Sequence, residues 1–245
     1  MHFLSVQKIR PHSSTSVSTT LTAVPRNIML RWLIYLAVIA INFSLSAADT
    51  WCDKKPASGD HTLPLASAAE GKCELTEQVK VENGDTLSIA GVETSESTRL
   101  ARIFTQNQHR LFWVKSGVLL LSWVRVSGGK VQITKGTPPQ LPVGRLNSGG
   151  LVFVGIDGSS GNDNSPALMN ATAGVIFEDG QAFAGGGIAA YGQKSVVWIQ
   201  DSQVARNHVI LAGGGIHLGE GSSCTLVRSE LKDNVAGANW LGNQQ

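Results

Sequence analysis

The sequence predicts an all-β fold, a right-handed parallel β-helix (a solenoid) that is incomplete at its C-terminal end. Three observations predict it. Glycine-rich segments recur 28 residues apart, at Ala184 and Ala212. Short stretches alternate hydrophobic and polar residues, as half-buried strands do, and no helical hydrophobic period lies between them. A unit of this length cannot bury its apolar face alone, but a stack of such units encloses one continuous core.

The glycine runs are the centre of a longer repeat. The segment Ala184–Ile188 reads Ala-Gly-Gly-Gly-Ile, and Ala212–Ile216 repeats it. Upstream of the second run a serine, an aliphatic residue and an asparagine occur at fixed spacing, and the same three residue types recur 27 residues later; they are Ser202, Val204 and Asn207, then Ser229, Leu231 and Asn234. We expect coils over residues 76–245, with the clearest repeats in 174–239.

Stacking these units in parallel predicts which residues lie over one another. Ile188 is expected on Ile216, and Val204 on Leu231. The residues five positions before Ala184 and Ala212, together with the asparagine of the third pass, are expected to form a polar turn ladder of Asp179, Asn207 and Asn234. Stacked amide side chains can hydrogen-bond one another and the turn backbone, which satisfies buried polar groups.

These motifs resemble a known family. The Gly-Gly-Gly-Ile runs at Gly185 and Gly213, with Ser-x-hydrophobic-x-x-Asn at Ser202 and Ser229, are similar to repeats of right-handed parallel β-helix, pectin-lyase-like proteins, and most of all to those of polymorphic outer-membrane and adhesin-type proteins. Val204 and Leu231 stand where that pattern commonly has phenylalanine. The resemblance covers residues 174–239 and implies fold more than activity.

The N-terminal fifth of the chain has the layout of a signal peptide. Basic residues precede the apolar run Trp32–Ile41, and small residues follow it up to Ala48. The run is shorter than the ~20 residues that a membrane-spanning helix needs. We expect residues 1–48 to be a signal peptide and the mature protein to be secreted or extracellular. The alternative is an uncleaved signal anchor over residues 30–48, which would tie the protein to a membrane.

The stretch before the apolar run is long for a signal peptide. Residues 1–28 are rich in Ser and Thr and contain no acidic residue. Two explanations stay open. Met29 is the true start, or this extended n-region adds an organelle-targeting element ahead of the signal.

Two cysteines lie close together near the start of the mature chain. In an oxidising compartment Cys52 and Cys73 are expected to pair and to pin an N-terminal cap over residues 49–75. A bridge of that span contributes ~3 kcal/mol on the chain-entropy model. Reduced, unpaired cysteines are the alternative. Cys224 aligns with Leu226 on one strand face and is expected to be a small buried hydrophobe.

The outward side of the predicted strands is the candidate binding face. Trp198 and Gln200 alternate with buried residues on one coil, and Thr225 and Val227 do so on the next. Long flat solenoid faces suit extended partners such as an extracellular glycan or protein. Asn170 begins an Asn-Ala-Thr acceptor for N-glycosylation, which applies if the host glycosylates secreted proteins.

The sequence argues against several other functions. The net charge of +2 comes from 20 basic and 18 acidic residues spread along the chain, so we expect no nucleic-acid partner. The glycine runs lack the third glycine and downstream acid of a dinucleotide site. No cofactor, metal site or catalytic residue is assigned, because the carboxylates do not converge and the motifs of polygalacturonase relatives are missing.

Three functions therefore remain in view. The first is a non-enzymatic binding or adhesion role outside the cell. The second is a polysaccharide lyase or glycoside hydrolase of the pectin-lyase-like class, whose carboxylates would lie in a lost C-terminal part if the chain is truncated after Gln245. The alternative to truncation is that Trp240 and Leu241 fold over the end of the stack. The third is a structural spacer on the cell surface.

Overall fold

The structure, a computed structural model, describes Cys52 and residues 56–63, 72–93, 95, 100–131, 147–156 and 165–237. The predicted signal peptide over residues 1–48, the alternative anchor over 30–48 and the alternative start at Met29 lie outside the described residues. Within the described ranges no helix is both long and apolar enough to span a membrane.

The described chain consists of short strands. In chain order they are β1 Gly59–Leu63, β2 Lys72–Glu74, β3 Val79–Val81, β4 Thr86–Gly91, β5 Ala101–Phe104, β6 Phe112–Val114, β7 Val118–Ser122, β8 Val124–Ser127, β9 Val152–Gly155, β10 Ala167–Thr172, β11 Ile176–Glu178, β12 Gln181–Ala184, β13 Ile188–Tyr191, β14 Ser195–Gln200, β15 Gln203–Ala205, β16 His208–Ala212, β17 Ile216–Gly219, β18 Ser223–Val227, β19 Glu230–Lys232 and β20 Val235–Ala236.

These strands form parallel sheets that are stacked coil on coil. Sheet A has the order β1-β4-β7-β10-β14-β18, sheet B β19-β15-β11-β8-β5-β2, sheet C β17-β13-β9-β6-β3 and sheet D β12-β16-β20. Each turn of the chain passes from sheet A to sheet B and then, through sheet D in the later coils, to sheet C. The predicted all-β, parallel β-helix fold is therefore confirmed.

Side-chain alternation along each strand creates the core. In β14, Val197 and Ile199 are fully buried, whereas Trp198 between them is exposed. The register places Ile188 beside Ile216 and Val204 beside Leu231, so aliphatic columns run through the stack. This continuous column supplies the apolar burial that no single coil has alone.

The corner between sheets A and B has one backbone conformation in four successive coils. Trp123, Ala173, Asp201 and Arg228 each follow a sheet A strand and have positive φ angles of 54°, 57°, 49° and 46°. Left-handed residues with a side chain are uncommon, and they persist where surrounding structure fixes them. Here the backbone of the next coil does so: the amides of Trp123 and Asp201 donate to the carbonyls of Ala173 and Val227.

The serines of the repeat complete this corner. The hydroxyl of Ser202 donates to the Gln200 carbonyl and accepts from the Val175 amide. Ser229 does the same one coil later, where its hydroxyl donates to the Val227 carbonyl and accepts from the Ser202 amide. The recurring serine thus has a structural role, since it satisfies backbone groups that the turn leaves without strand partners.

Candidate functional site

The four residues of the predicted binding face lie together on the outer side of sheet A. Trp198 is paired with Thr225, and Gln200 with Val227, on the adjacent strands β14 and β18. Trp198 and Thr225 are exposed, while Gln200 and Val227 are half-buried. Gln200 and Val227 are the last residues of their strands, so they lie at the corner where each coil turns toward sheet B.

Two of the three residues of the predicted turn ladder are joined. The Nδ2 of Asn207 donates to the Oδ1 of Asn234 at 2.9 Å and to the Phe177 carbonyl at 3.2 Å. Its Oδ1 accepts from the Gly180 amide at 2.9 Å. Asn234 repeats two of these bonds, because its Nδ2 donates to the Val204 carbonyl and its Oδ1 accepts from the Asn207 amide. Asn207 is completely buried, so these bonds satisfy a polar side chain that water does not reach.

The prediction that Asp179 belongs to this ladder is wrong. The register pairs Glu178 with Ala205, which puts Asp179 level with Arg206 and Gly180 level with Asn207. The cause is an irregularity in sheet D: Ala182 pairs with Val209, but Ala184 pairs with Ala212, so β16 holds one extra residue. Counting back five residues from Ala184 therefore gives Asp179, one residue before Gly180, which is the residue that aligns with Asn207.

A groove that the sequence analysis did not anticipate runs along the corner between sheets A and B. Its volume is about 1070 Å³, and residues of five successive coils line it. The spacing of parallel strands makes this path roughly 19 Å long, parallel to the solenoid axis. Its lining consists of Glu93, Ser95, Leu100, Trp123, Ala173, Gly174, Val175, Ile176, Asp201, Ser202, Gln203, Arg228, Ser229 and Glu230.

Trp123 is the aromatic residue of this groove. Its indole is half-buried and lies against the backbone of Gly174, where a Cβ atom would come within 2.9 Å of the ring. Gly174 also has a φ of 80°, so both the close approach and the conformation require glycine. The register of sheet A places Trp123 level with Asp201 and Arg228, and no local sequence motif marks this position.

Most charged residues of the groove form hydrogen bonds with a side chain of the neighbouring coil. Asp201 accepts two hydrogen bonds from Arg228, at 2.6 Å from Nε and 2.7 Å from Nη2. The Arg228 guanidinium, with help from the Gln200 amide, holds the pKa of the Asp201 carboxyl below its usual value. Gln203 donates to Glu230 at 2.6 Å. With Glu93 the lining carries three carboxylates and one guanidinium, so the groove is net negative.

A second charged cluster lies on the outer side of sheet B and is structural in character. The Glu178 carboxylate is buried and is contacted at 2.6 Å by Arg125 on one side and Arg206 on the other. Arg206 also reaches Asp179 at 3.2 Å. Because Arg125, Glu178 and Arg206 belong to three successive coils, these charge-assisted hydrogen bonds tie neighbouring coils together.

A row of aromatic rings lies on the outer side of sheet C. Trp113 contacts Phe153 edge to face at 6.2 Å between ring centroids, Phe153 stacks on Tyr191 at 5.7 Å, and Tyr191 meets His217 at 5.5 Å. Phe153 is fully buried although it points away from the solenoid core. Burial lowers the pKa of the His217 imidazole. This row packs the outer side of the sheet and offers little free aromatic surface.

The remaining predicted residues have the following places. Cys52 and Cys73 form a disulfide, and Cys52 packs against the core of the first coils, within the part of the predicted 49–75 cap that is described. Cys224 is a free thiol that is partly buried on the inner side of β18, and burial raises its pKa.

Asn170, the predicted glycosylation acceptor, lies in β10, between two strands of sheet A, and its buried Oδ1 has no hydrogen-bond partner among described residues.

Comparison with known proteins adds no relative. No protein-family model, no curated protein and no solved structure matches the chain. Across the described ranges no group of three or more His, Cys, Asp or Glu side chains is placed to hold a metal ion.

Proposed function

We propose that this protein is a secreted or cell-surface β-helix that binds an extended glycan, without cleaving it, in the groove between sheets A and B. The observation that carries the proposal is the direction of the groove, which runs along the solenoid axis over five coils. A site of this shape fits a chain of linked units better than a compact small molecule.

The chemistry of the lining favours a sugar polymer. The indole of Trp123 offers an apolar surface for the C–H face of a sugar ring, and the carboxylates, the Gln203 amide and the Ser95 hydroxyl of the lining are hydrogen-bonding groups for hydroxyls. The similarity of the runs at Gly185 and Gly213 to pectin-lyase-like repeats supports a glycan over a peptide. The excess of carboxylates disfavours polyuronates and other acidic glycans by like-charge repulsion.

Binding without cleavage is favoured by the state of the carboxylates. A glycosidase uses two carboxyl groups, one of them with a raised pKa that lets it act as an acid. In the groove, the Asp201 carboxyl is ion-paired and its pKa is lowered, not raised. The enzymatic alternative, a lyase or hydrolase of the pectin-lyase-like class, predicts instead that a polyuronate is bound and shortened.

Affinity electrophoresis in gels that contain a soluble polysaccharide tests the proposal. We expect a neutral polysaccharide such as xyloglucan to retard the protein and polygalacturonate not to do so. Trp123→Ala should weaken the retardation about tenfold, the loss typical of one stacking aromatic in a binding site, and Gln203→Ala about threefold. Trp198→Ala, on the outer face of sheet A, is the matched control and should leave it unchanged.

Other outcomes contradict the proposal in distinguishable ways. Loss of binding in Trp198→Ala but not in Trp123→Ala would move the site to the outer face of sheet A. Release of new reducing ends or unsaturated products from any polysaccharide would replace binding by catalysis. Retardation by polygalacturonate alone would overturn the assignment of a neutral ligand. Circular dichroism of each variant separates loss of binding from loss of fold.

A further inference from the structure

The groove between sheets A and B changes in chemical character along its length. The corner segments after β14 and β18 line it with polar or charged side chains, which belong to Asp201, Ser202, Gln203, Arg228, Ser229 and Glu230. The corner segments after β7 and β10, in the interior of the stack, line it with Trp123, Ala173, Gly174, Val175 and Ile176. The indole N–H of Trp123 is the one hydrogen-bonding side-chain group among these five residues. An apolar stretch of two coils, roughly 10 Å long, therefore adjoins a polar one.

Three backbone amides of the apolar stretch are already used within the protein. The Trp123 amide donates to the Ala173 carbonyl, the Gly174 amide to the Asp201 carbonyl and the Val175 amide to the Ser202 hydroxyl. A sugar hydroxyl that is turned toward this stretch exchanges water for an apolar contact, and a polar group that loses water without gaining a partner costs free energy. An unsubstituted sugar is therefore a poor fit at this place.

The apolar character of the stretch comes from two positions that are polar in the next coil. Ile176 faces outward on sheet B, and the residue paired with it is Gln203. Ala173 follows β10 and is level with Asp201, which follows β14. Ala173 and the Trp123 indole are half-buried, so part of their apolar surface is open to a ligand. The same corner thus offers hydrogen bonds in one coil and an apolar contact in the coil before it.

We propose that the glycan bound in this groove carries O-acetyl groups where it crosses the apolar stretch. The inference rests on the proposed function and adds the substitution of its ligand. Acetylation replaces a sugar O–H by an ester whose methyl group can pack on the indole of Trp123 and on Ala173, and the indole N–H can donate to the ester carbonyl. Unsubstituted sugars on either side meet polar residues, which are Gln203 and Asp201 in one direction and Ser95 in the other.

The experiment compares one polysaccharide in two states by affinity electrophoresis, xyloglucan and the same xyloglucan after partial chemical O-acetylation. We expect the acetylated form to bind about fourfold more tightly, the ratio that corresponds to the burial of one methyl group. Ala173→Asn puts an uncharged hydrogen-bonding side chain into the apolar stretch and should bring the ratio close to one. Asparagine tolerates the left-handed conformation of this position, where φ is 57°.

Val196→Asn is the matched control, because it introduces the same side chain on the outer side of sheet A and should keep the fourfold ratio. Circular dichroism of both variants verifies that they fold.

The outcomes separate this inference from the proposed function. Equal retardation by the two forms would overturn the acetyl preference and leave binding of a neutral glycan standing. Weaker retardation by the acetylated form would show that the apolar stretch excludes the substituent, which also overturns the inference. A fourfold ratio that persists in Ala173→Asn would place the acetyl contact outside the apolar stretch. Retardation by neither form would contradict the proposed function itself, and the inference with it.

Discussion

The first and last coils of the described solenoid have the same architecture, but their inward side chains are buried in the first coil and partly exposed in the last. In the first coil, the inward residues Leu63, Cys73 and Val81 are at most 2% exposed, and Cys52 and Ala57 pack against that part of the core. In the last coil, inward Leu226 and Leu231 are about half exposed. The difference shows that an inward position is not by itself a core position, because burial needs a covering layer on both sides of the coil.

The largest effect expected from this comparison comes from two aligned isoleucines. Ile188 is fully buried between neighbouring coils, whereas Ile216, paired with it, is partly exposed in the last stretch of sheet C. Ile188→Ala should lower the free energy of unfolding by about 3 kcal/mol and Ile216→Ala by about 1 kcal/mol. Urea denaturation followed by circular dichroism measures both.

Equal losses for the two isoleucines would mean that the last described coil is packed as tightly as the interior, and the comparison of the two ends would fail.

The disulfide at the covered end gives the next effect. The Cys52–Cys73 bridge spans a sequence separation of 21 residues, and a loop of that length corresponds to about 3 kcal/mol on the chain-entropy model, with smaller values common in practice. Replacing both cysteines by serine should therefore lower the midpoint of thermal unfolding. Cys224→Ser at the uncovered end is the control, with an expected loss of less than about 1 kcal/mol. A larger loss in the control would show that the last coil is the better packed of the two.

The smallest difference in stability between an inner and an outer position is expected for the two asparagines of the ladder. Asn207→Ala removes the hydrogen bonds that the buried side chain makes to the Gly180 amide and the Phe177 carbonyl. The free energy of unfolding should therefore fall by about 2 kcal/mol. Asn234→Ala removes bonds to Asn207 and the Val204 carbonyl at the exposed end, where water can replace them, so about 1 kcal/mol is expected. Chemical denaturation resolves the two values. The reverse order would contradict the view that the ladder is stronger inside the stack.

The fold could be predicted from the sequence because its period is carried by chemically distinctive residues. Glycine runs and the recurring Ser-x-x-x-x-Asn element mark equivalent positions, and the pairing of Ile188 with Ile216 follows from counting. The place of Asp179 could not be predicted in the same way. A single extra residue in β16 changes the offset between coils from 27 to 28, and no local feature of the sequence marks where that residue is inserted.

The groove was not predicted from the sequence, and none of the predicted site residues lines it. Trp198 and its neighbours follow from alternation within strands, which the sequence displays directly. The groove depends on corner residues from five coils, and those are brought together by the register of the whole stack. Trp123 lies far from Arg228 in sequence and shares no local motif with it, so only the fold reveals that they line one surface.

The irregularity in β16 has a consequence for how such a chain can lengthen. The extra residue is accommodated within sheet D, β13 pairs with β17 at an offset of 28 residues, and the offset returns to 27 where β14 pairs with β18, so the aliphatic columns continue. A duplicated gene segment that is one codon too long would therefore still yield a coil that fits, provided that a later turn is one residue shorter. Growth by imprecise copying is tolerated by this architecture, and the corner and the glycine runs need only keep their order.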